Sequence, residues 1–306
     1  MRAAAATIAG RVHRTPTLTS ASLERELGVP VYLKAELFQR TGSFKPRGVL
    51  NKLASLSEEE KACGVIGISA GNHAQALAYG ATLEGLDALV VMWRGVSEQK
   101  VAATRAYGAA VDLEATDKVG AFDRLTQLLE ETGRTLVHPF DDPLVMAGQG
   151  TVGLELAEDA PDAELVVVPV GGGGLISGIA TAVDARVVGV EPETSAALRA
   201  GLEAGRPVTV EAESIADGLN APFVGANCLA VCRSRVESVL VGENEIEAGF
   251  RFLYERAKLA CEPAGAAAVG ALLAGKVPLE GAKGVGAVVS GGNVAASTAA
   301  AILARP

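Results

Sequence analysis

Positive charge is what this 306-residue chain has least to spare: 27 Lys and Arg stand against 36 Asp and Glu, a formal net charge of −9. Recognition of nucleic acid through its phosphates needs a dense basic patch, so that class of partner is not expected. Runs of like charge are missing too, and the acidic stretch in "SEEEK" (57–61) suits the first turn of a helix. An anionic ligand would have to be held by backbone amides. Cysteine is sparse: Cys63, Cys228, Cys232 and Cys261 are scattered, and the pair four apart shares a helical face without forming CxxC. With three histidines at no ligand spacing, no metal site is expected, and the thiols read as free in a reducing compartment. Aromatic residues make up only 4%, which leaves Ala, Val and Leu to fill the core. Long apolar runs are also absent. The most apolar tract, residues 284–304, is broken by Gly291, Gly292 and Asn293, and reads as strand, loop and helix rather than a membrane span. "MRAAAATIAG" lacks the Leu-rich centre of a signal peptide, so a soluble cytoplasmic protein is expected.

What the chain does have is alternation. "VPVYLKAE", "GVIGIS", "ALVVM", "AAVDLE", "TLVHPF", "ELVVVPV", "RVVGVEP" and "GVGAVVS" read as strands, mostly apolar at consecutive positions as strands buried on both faces are. Helical patterns fall between them over residues 73–85, 98–107, 119–132, 145–158, 174–184 and 243–260. This βα rhythm predicts an α/β fold of open, mostly parallel sheets with flanking helices. The length suits two lobes: a larger one from residues 1–50 and 140–306, and a smaller one, residues 51–139, inserted into it.

Ligands of parallel α/β sheets gather at the carboxyl ends of strands. Four junctions of that kind are dense in Gly, Ser and Asn: "GSFKPRG" (42–48), "SAGNHAQ" (69–75), "VGGGGLISG" (170–178) and "SGGNV" (290–294). In the third, the amides of Gly171 to Gly174 can converge on an anion at a helix N-terminus. The run lacks the Lys-Ser/Thr ending of a nucleotide P-loop and is not GxGxxG, so a compact phosphate monoester fits better than ATP or NAD. In the second, Ser69, Gly71, Asn72 and His73 put amides and small polar groups at a helix start, suited to a carboxylate. Taken singly, Asn72 is an N-cap and His73 a structural histidine. Ser290 leaves the sheet where its hydroxyl could meet a heterocyclic nitrogen.

Lys45 stands directly before Pro46, which favours the first helical position and biases its predecessor toward extended backbone. That puts the lysine at the mouth of a helix beside a phosphate cup, as expected of a Schiff-base nucleophile. Desolvation and the positive helix end both favour its neutral amine.

In this order and over almost the whole chain, "GSFKPRG", "SAGNHAQ", "GGGG" and "SGGNV" resemble the fold type II pyridoxal-phosphate enzymes (the tryptophan synthase β-like fold), specifically the threonine/serine dehydratase and serine racemase branch. "HRTPTLTS" and "HPFDDPLVMAGQGTVGLEL" are similar to that branch as well. The resemblance implies pyridoxal 5′-phosphate as cofactor, with Lys45 bonded to it and Phe44 against its ring. It implies Asn72 on the 3′-oxygen, Gly171, Gly172, Gly173 and Gly174 around the phosphate, and Ser290 at the pyridine nitrogen. Ser69, Ala70, Gly71, Asn72 and His73 would surround the substrate carboxylate. The implied reaction is dehydration and deamination of a β-hydroxy amino acid, L-threonine or L-serine, to a 2-keto acid and ammonia, by a homodimer or homotetramer. Other β-hydroxy substrates, a racemase, and a binder that keeps only the phosphate cup stay open beside it.

Three departures narrow the resemblance. Only residues 295–306 follow "SGGNV", so no C-terminal regulatory domain is expected. In "GVEPETSAAL", Glu191 matches one acid of a cation site found in some relatives, but the second position is Ala197, which leaves too little charge for a hard divalent ion. Ala70 stands where the racemases carry a serine that works as acid and base on the far face of the substrate. Alanine transfers no proton, so keto acid should far outrun D-amino acid when both products are measured from the L-substrate. Abundant D-product would overturn the argument from Ala70.

Overall fold

The computed structural model describes residues 1–305. Two sheets carry the strands. The larger runs in the order β1 (Thr17–Thr19), β2 (Val31–Ala35), β10 (Val285–Val289), β7 (Leu165–Pro169), β8 (Arg186–Pro192), β9 (Val236–Val241). The smaller runs β5 (Ala110–Ala115), β4 (Ala88–Trp93), β3 (Val65–Ile68), β6 (Thr135–Leu136). All neighbours are parallel except β1, which pairs antiparallel with β2. The smaller sheet is drawn from one continuous stretch of sequence between β2 and β7. The central strands β3, β7 and β10 are buried at every residue, which is why they read as unbroken apolar runs.

Few aromatics mean that close backbone approach must fill the core. Helix Pro263–Leu273 is Ala- and Gly-rich, lies buried over almost its whole length and packs under β7 and β10. Helix Glu243–Phe252 crosses it through Gly249, where a Cβ would stand 2.6 Å from the carbonyl oxygen of Ala266. Larger residues at that crossing would force the helices apart.

Some expected elements differ. The helix expected over 145–158 is two, Pro143–Gln149 and Thr151–Asp159, meeting at Gly150, where a Cβ would lie 2.7 Å from the carbonyl oxygen of Gly178. The helix expected over 243–260 ends at Phe252 and passes through a π turn, Leu253–Ala257, to Lys258 in the left-handed region. Strand "TLVHPF" contributes only Thr135 and Leu136 to the sheet. The position 50/51, expected to divide the lobes, falls inside helix Lys45–Leu53, which packs on both Asn72–Glu84 and Pro143–Gln149. Among the described residues no helix is long and apolar enough to cross a membrane.

One buried ion cluster ties helix Lys45–Leu53 to the larger sheet. Arg47 is fully buried and donates from Nε and Nη2 to Glu36 (both 2.8 Å) and from Nη1 and Nη2 to Glu155 (2.7 and 2.9 Å). Glu36 also accepts from Thr15 Oγ1 at 2.5 Å, and the buried Lys34 ammonium reaches Glu155 at 2.8 Å. Burial acts against the charge on Arg47, but Glu36 and Glu155 outweigh it and hold the guanidinium ionised. Removing one member strands the others. Arg47→Met should lower the unfolding free energy by about 3–5 kcal/mol, read by urea denaturation, and a loss below about 1 kcal/mol would show the cluster to be dispensable.

Candidate active site

Because β2, β10 and β7 lie side by side and parallel, the loops that leave their carboxyl ends are neighbours. Those loops carry Lys45, Ser290 and the glycine run. The loop from β10 runs back along the turn before Lys45: Gly292 N–H donates to Gly42 O (2.9 Å), Ser43 bridges Gly291, and Phe44 N–H donates to Ser290 O (3.2 Å). Phe44, Lys45 and Ser290 are thereby brought together, with Lys45 Nζ 5.2 Å from the centre of the Phe44 ring.

Lys45 is the first residue of its helix and Pro46 the second, so the extended bias expected before proline is not realised there; Ser43 is the extended residue. Helix closure and the packing of this buried first turn win over the local preference. Lys45 Nζ donates to Pro139 O at 2.7 Å. Burial lowers its pKa to about 8, against small opposing effects from Cys228 and Glu262. A neutral amine is thus within reach near neutral pH, as a nucleophile toward a carbonyl requires.

The glycine loop meets Lys45 through shared neighbours. Phe140 follows Pro139, and its ring lies so close over Gly172 that any Cβ there would collide with it. Gly173 sits at φ +96 with its would-be Cβ 2.9 Å from Cys228 Cβ, so only glycine serves at this position. The amides of Gly171, Gly172 and Gly173 donate no backbone hydrogen bond among the described residues, and helix Gly174–Ala182 begins at once. Unpartnered N–H groups at a helix N-terminus fit a phosphate monoester, and a lysine whose neutral form is accessible fits an aldehyde. The residues present therefore suit pyridoxal phosphate.

Asn72 opens helix Asn72–Glu84 at the end of β3 and reaches across to the larger sheet. Its Nδ2 donates to Glu262 Oε1 at 2.7 Å, and its Oδ1 accepts from Asn293 Nδ2 at 2.8 Å. Ser69 Oγ accepts from Gly71 N–H (3.1 Å), which shapes the turn around Ala70. The side chain of His73 turns inward instead: it is buried, its Nε2 lies 2.8 Å from Val137 O, and burial followed by the Lys45 charge lowers its pKa to about 3. A neutral, inward ring leaves only the main chain of His73 facing the turn.

Sequence reasoning gave no role to segment 137–141 or to Asn293. Val137 O meets His73, Pro139 O meets Lys45, Phe140 meets the glycine loop, and Asp141 accepts from the N–H groups of Ala226, Asn227 and Cys228. Val137 and Pro139 act through their carbonyl groups, which leave no mark in a side-chain pattern. Glu191, considered for a cation, is buried and accepts from Leu198 N–H (2.6 Å), Arg199 N–H (2.9 Å) and Ser238 Oγ (2.9 Å); burial raises its pKa to about 6. It caps helix Ala197–Ala204.

Residues 8–301 match the family model described as pyridoxal-phosphate dependent enzyme. The chain is 45% identical over 295 residues to an L-threonine ammonia-lyase of Thermotoga maritima, covering 94% of this chain and 73% of that protein. It is 40% identical over 296 residues to a catabolic L-threonine dehydratase of Escherichia coli, covering 94% and 90%. The structure of maize serine racemase superposes with a TM-score of 0.93 at 35% identity, over 97% of this chain and 93% of that one. With the lysine, the glycine cup and the sheet order in one arrangement, and a family model spanning nearly its whole length, this chain belongs to the pyridoxal-phosphate dependent enzymes.

Proposed function

We propose that this chain is a pyridoxal-phosphate dependent ammonia-lyase that dehydrates and deaminates L-threonine, L-serine or both, giving a 2-keto acid and ammonia. The observation that carries the reading is Lys45: a half-buried lysine whose pKa desolvation lowers to about 8, held on Pro139 O beside a glycine cup. The T. maritima and E. coli relatives, named for threonine, support the choice of substrate. Pyridoxal phosphate, when bound, supplies a sink for the electron pair left on the substrate Cα.

The protein's own groups divide the remaining tasks. The amides of Gly171 to Gly174 hold the phosphate against the N-terminus of helix Gly174–Ala182. Phe44 would pack by the cofactor ring, and Ser290, 4% exposed, would offer a neutral hydroxyl to the ring nitrogen. A neutral partner would leave that nitrogen largely unprotonated, a weaker sink that would favour elimination over reprotonation at Cα. The N–H groups of the 69–73 turn seat the substrate carboxylate at the start of helix Asn72–Glu84. Lys45 Nζ, whose neutral form burial brings within reach, takes the Cα proton. On the opposite face Ala70 has no proton to give, so the chain departs from racemase chemistry despite its likeness to the maize protein.

Residues 51–139 form, in this reading, a smaller lobe that closes over the substrate. Lys100 to Asp217 (2.5 Å) and Phe122 to Phe223 (6.1 Å between ring centres) join that stretch to the remainder of the chain. A cytoplasmic setting and a homodimer or homotetramer complete the proposal, as the resemblance implies; the buried, free Cys228, Cys232 and Cys261 suit a reducing compartment.

Lys45→Ala should abolish both the visible absorbance of bound cofactor and keto-acid release from threonine and serine. Retained turnover would refute the assignment. Glu262 supplies a second test. Burial, then the charge of Asp217, raise its carboxyl from 4.5 to about 8, against the Asn72 hydrogen bond and Lys100. The folded protein therefore binds more protons than the unfolded chain between those values, and stability falls as pH rises through that window. Glu262→Gln removes the loss, so its thermal midpoint in the cofactor-free protein should gain on the parent between pH 5 and pH 8; a constant difference would mean that Glu262 ionises normally.

A further inference from the structure

The turn before Lys45 is held in a costly shape. Thr41, a β-branched residue, sits at φ +58, and Gly42 follows at φ +74. The hydroxyls of Thr41 and Ser43 are buried without hydrogen-bond partners. A left-handed β-branched residue and two orphaned hydroxyls in three positions persist only where the surroundings impose them. The surroundings here are the loop from β10, and its one side-chain grip on Thr41 is Asn293. Asn293 Nδ2 donates to Thr41 O at 2.7 Å and to Asn72 Oδ1 at 2.8 Å. Its carboxamide lies over Gly42, where a Cβ would stand 2.6 Å from Asn293 Oδ1.

The polarity of this chain of bonds has a single fixed end. A backbone carbonyl only accepts, so Thr41 O requires the nitrogen of Asn293 to face it. With Nδ2 on that side, both of its hydrogens are used, and Asn72 must turn its oxygen toward Asn293. Nδ2 of Asn72 then points to Glu262, where it is found at 2.7 Å. Glu262 could not set this order by itself, because a carboxylic acid can accept or donate according to its protonation.

We propose that Asn293 is a positioning residue: anchored on Thr41 O, it fixes which face of the Asn72 carboxamide carries the N–H donors and so presents a donor, not an acceptor, to the cofactor's ring oxygen. The proposal rests on the reading of Asn72 as the ring-oxygen contact. It explains why a strained turn, an exposed asparagine and a catalytic-loop asparagine are joined across four loops. It also gives Gly42 a purpose beyond its own φ, since a side chain there would displace the Asn293 amide.

The test uses purified holoenzyme and reads cofactor affinity by absorbance titration, the position of the visible band, and the thermal midpoint of the cofactor-free protein. Asn293→Asp keeps size and shape but replaces the donor by an acceptor, facing Thr41 O and Asn72 Oδ1 with like polarity. It should weaken cofactor binding at least as much as Asn293→Ala, by about tenfold for one lost hydrogen bond, and shift the band. Adding Glu262→Gln to Asn293→Asp permits the chain to run in reverse: the carboxamide introduced at position 262 donates to Asn72, and Asn72 donates to the carboxylate introduced at position 293. The loss of thermal midpoint caused by Asn293→Asp should therefore be smaller in the Glu262→Gln background than in the parent, the contact to Thr41 O being lost in both, while cofactor affinity stays low, a split that a purely structural role would not give. Wild-type affinity and band in Asn293→Asp, alongside a clear loss in Asn72→Ala, would overturn the role of Asn293 alone. Wild-type affinity in Asn72→Ala as well would overturn the reading of Asn72 on which the proposal stands.

Discussion

Everything in this active site depends on keeping one lysine amine dry. An ammonium in water has no lone pair to offer, and at neutral pH an ordinary lysine is almost wholly in that form. Lys45 is moved to about 8 by burial, and the contact that replaces water is a single carbonyl, Pro139 O, at 2.7 Å. A carbonyl can accept from either the neutral or the charged amine, so it holds the nitrogen in place without forcing its ionisation. A carboxylate at the same distance would have stabilised the ammonium and removed the nucleophile. The acid that does stand near, Glu262, is itself driven toward its neutral form by burial. Two groups that could have formed an ion pair are both pushed toward neutrality.

Two residues further along the same helix the solution is the opposite. Arg47 is fully buried, more so than Lys45, yet it is kept charged by bidentate contacts to Glu36 and Glu155. The deeper cation is the one that stays charged, so partners rather than depth decide the outcome. Guanidinium matches two carboxylates in plane, which compensates its desolvation through several charge-assisted bonds. A single carbonyl gives Lys45 far less. The helix is therefore anchored by a permanently ionised residue and carries beside it one pushed toward neutrality, and the anchor fixes the first turn from which the amine projects. Exchange of the two functions is not open to the chemistry: an arginine cannot be deprotonated, and a lysine offers no fork.

The sequence made the anion cup, the lysine and the order of strand-end loops legible because those features are written in side chains, or in their absence. Gly171 to Gly174 announce free amides, and "FKPRG" announces a lysine at a helix start. The central strands were readable because both faces are buried, whereas β9, with Glu237 and Ser238 between its apolar residues, escaped notice at the sheet edge, where one side stays open to water. Much of what escaped depends on main-chain geometry. Nothing in "HPFDD" says that Pro139 O will face a lysine, and nothing in "RTGSF" says that Thr41 will take a positive φ. His73 shows the same limit from the other side, since its motif placed it with the substrate turn while packing against Val137 O drew its ring into the core.

Scarcity of aromatics links the core to the site. Most of the interior is built from Ala, Gly, Val and Leu, whose helices approach until backbones touch, as at Gly249 on Ala266 and Gly150 on Gly178. Such crossings leave little freedom for adjustment, because no flexible side chain lies between the elements. Phe250 is an exception within the core, and other rings are spent elsewhere. His138, Phe140, Phe223 and Phe122 form a continuous series from beside the lysine's carbonyl partner outward, at centre distances of 4.7, 5.8 and 6.1 Å. Phe122 belongs to helix Lys118–Thr132, which flanks the smaller sheet, and Phe223 to a loop beside the glycine cup. Backbone-close crossings therefore mark the helices of the larger sheet, and edge-on or tilted rings mark the passage from there to the smaller one.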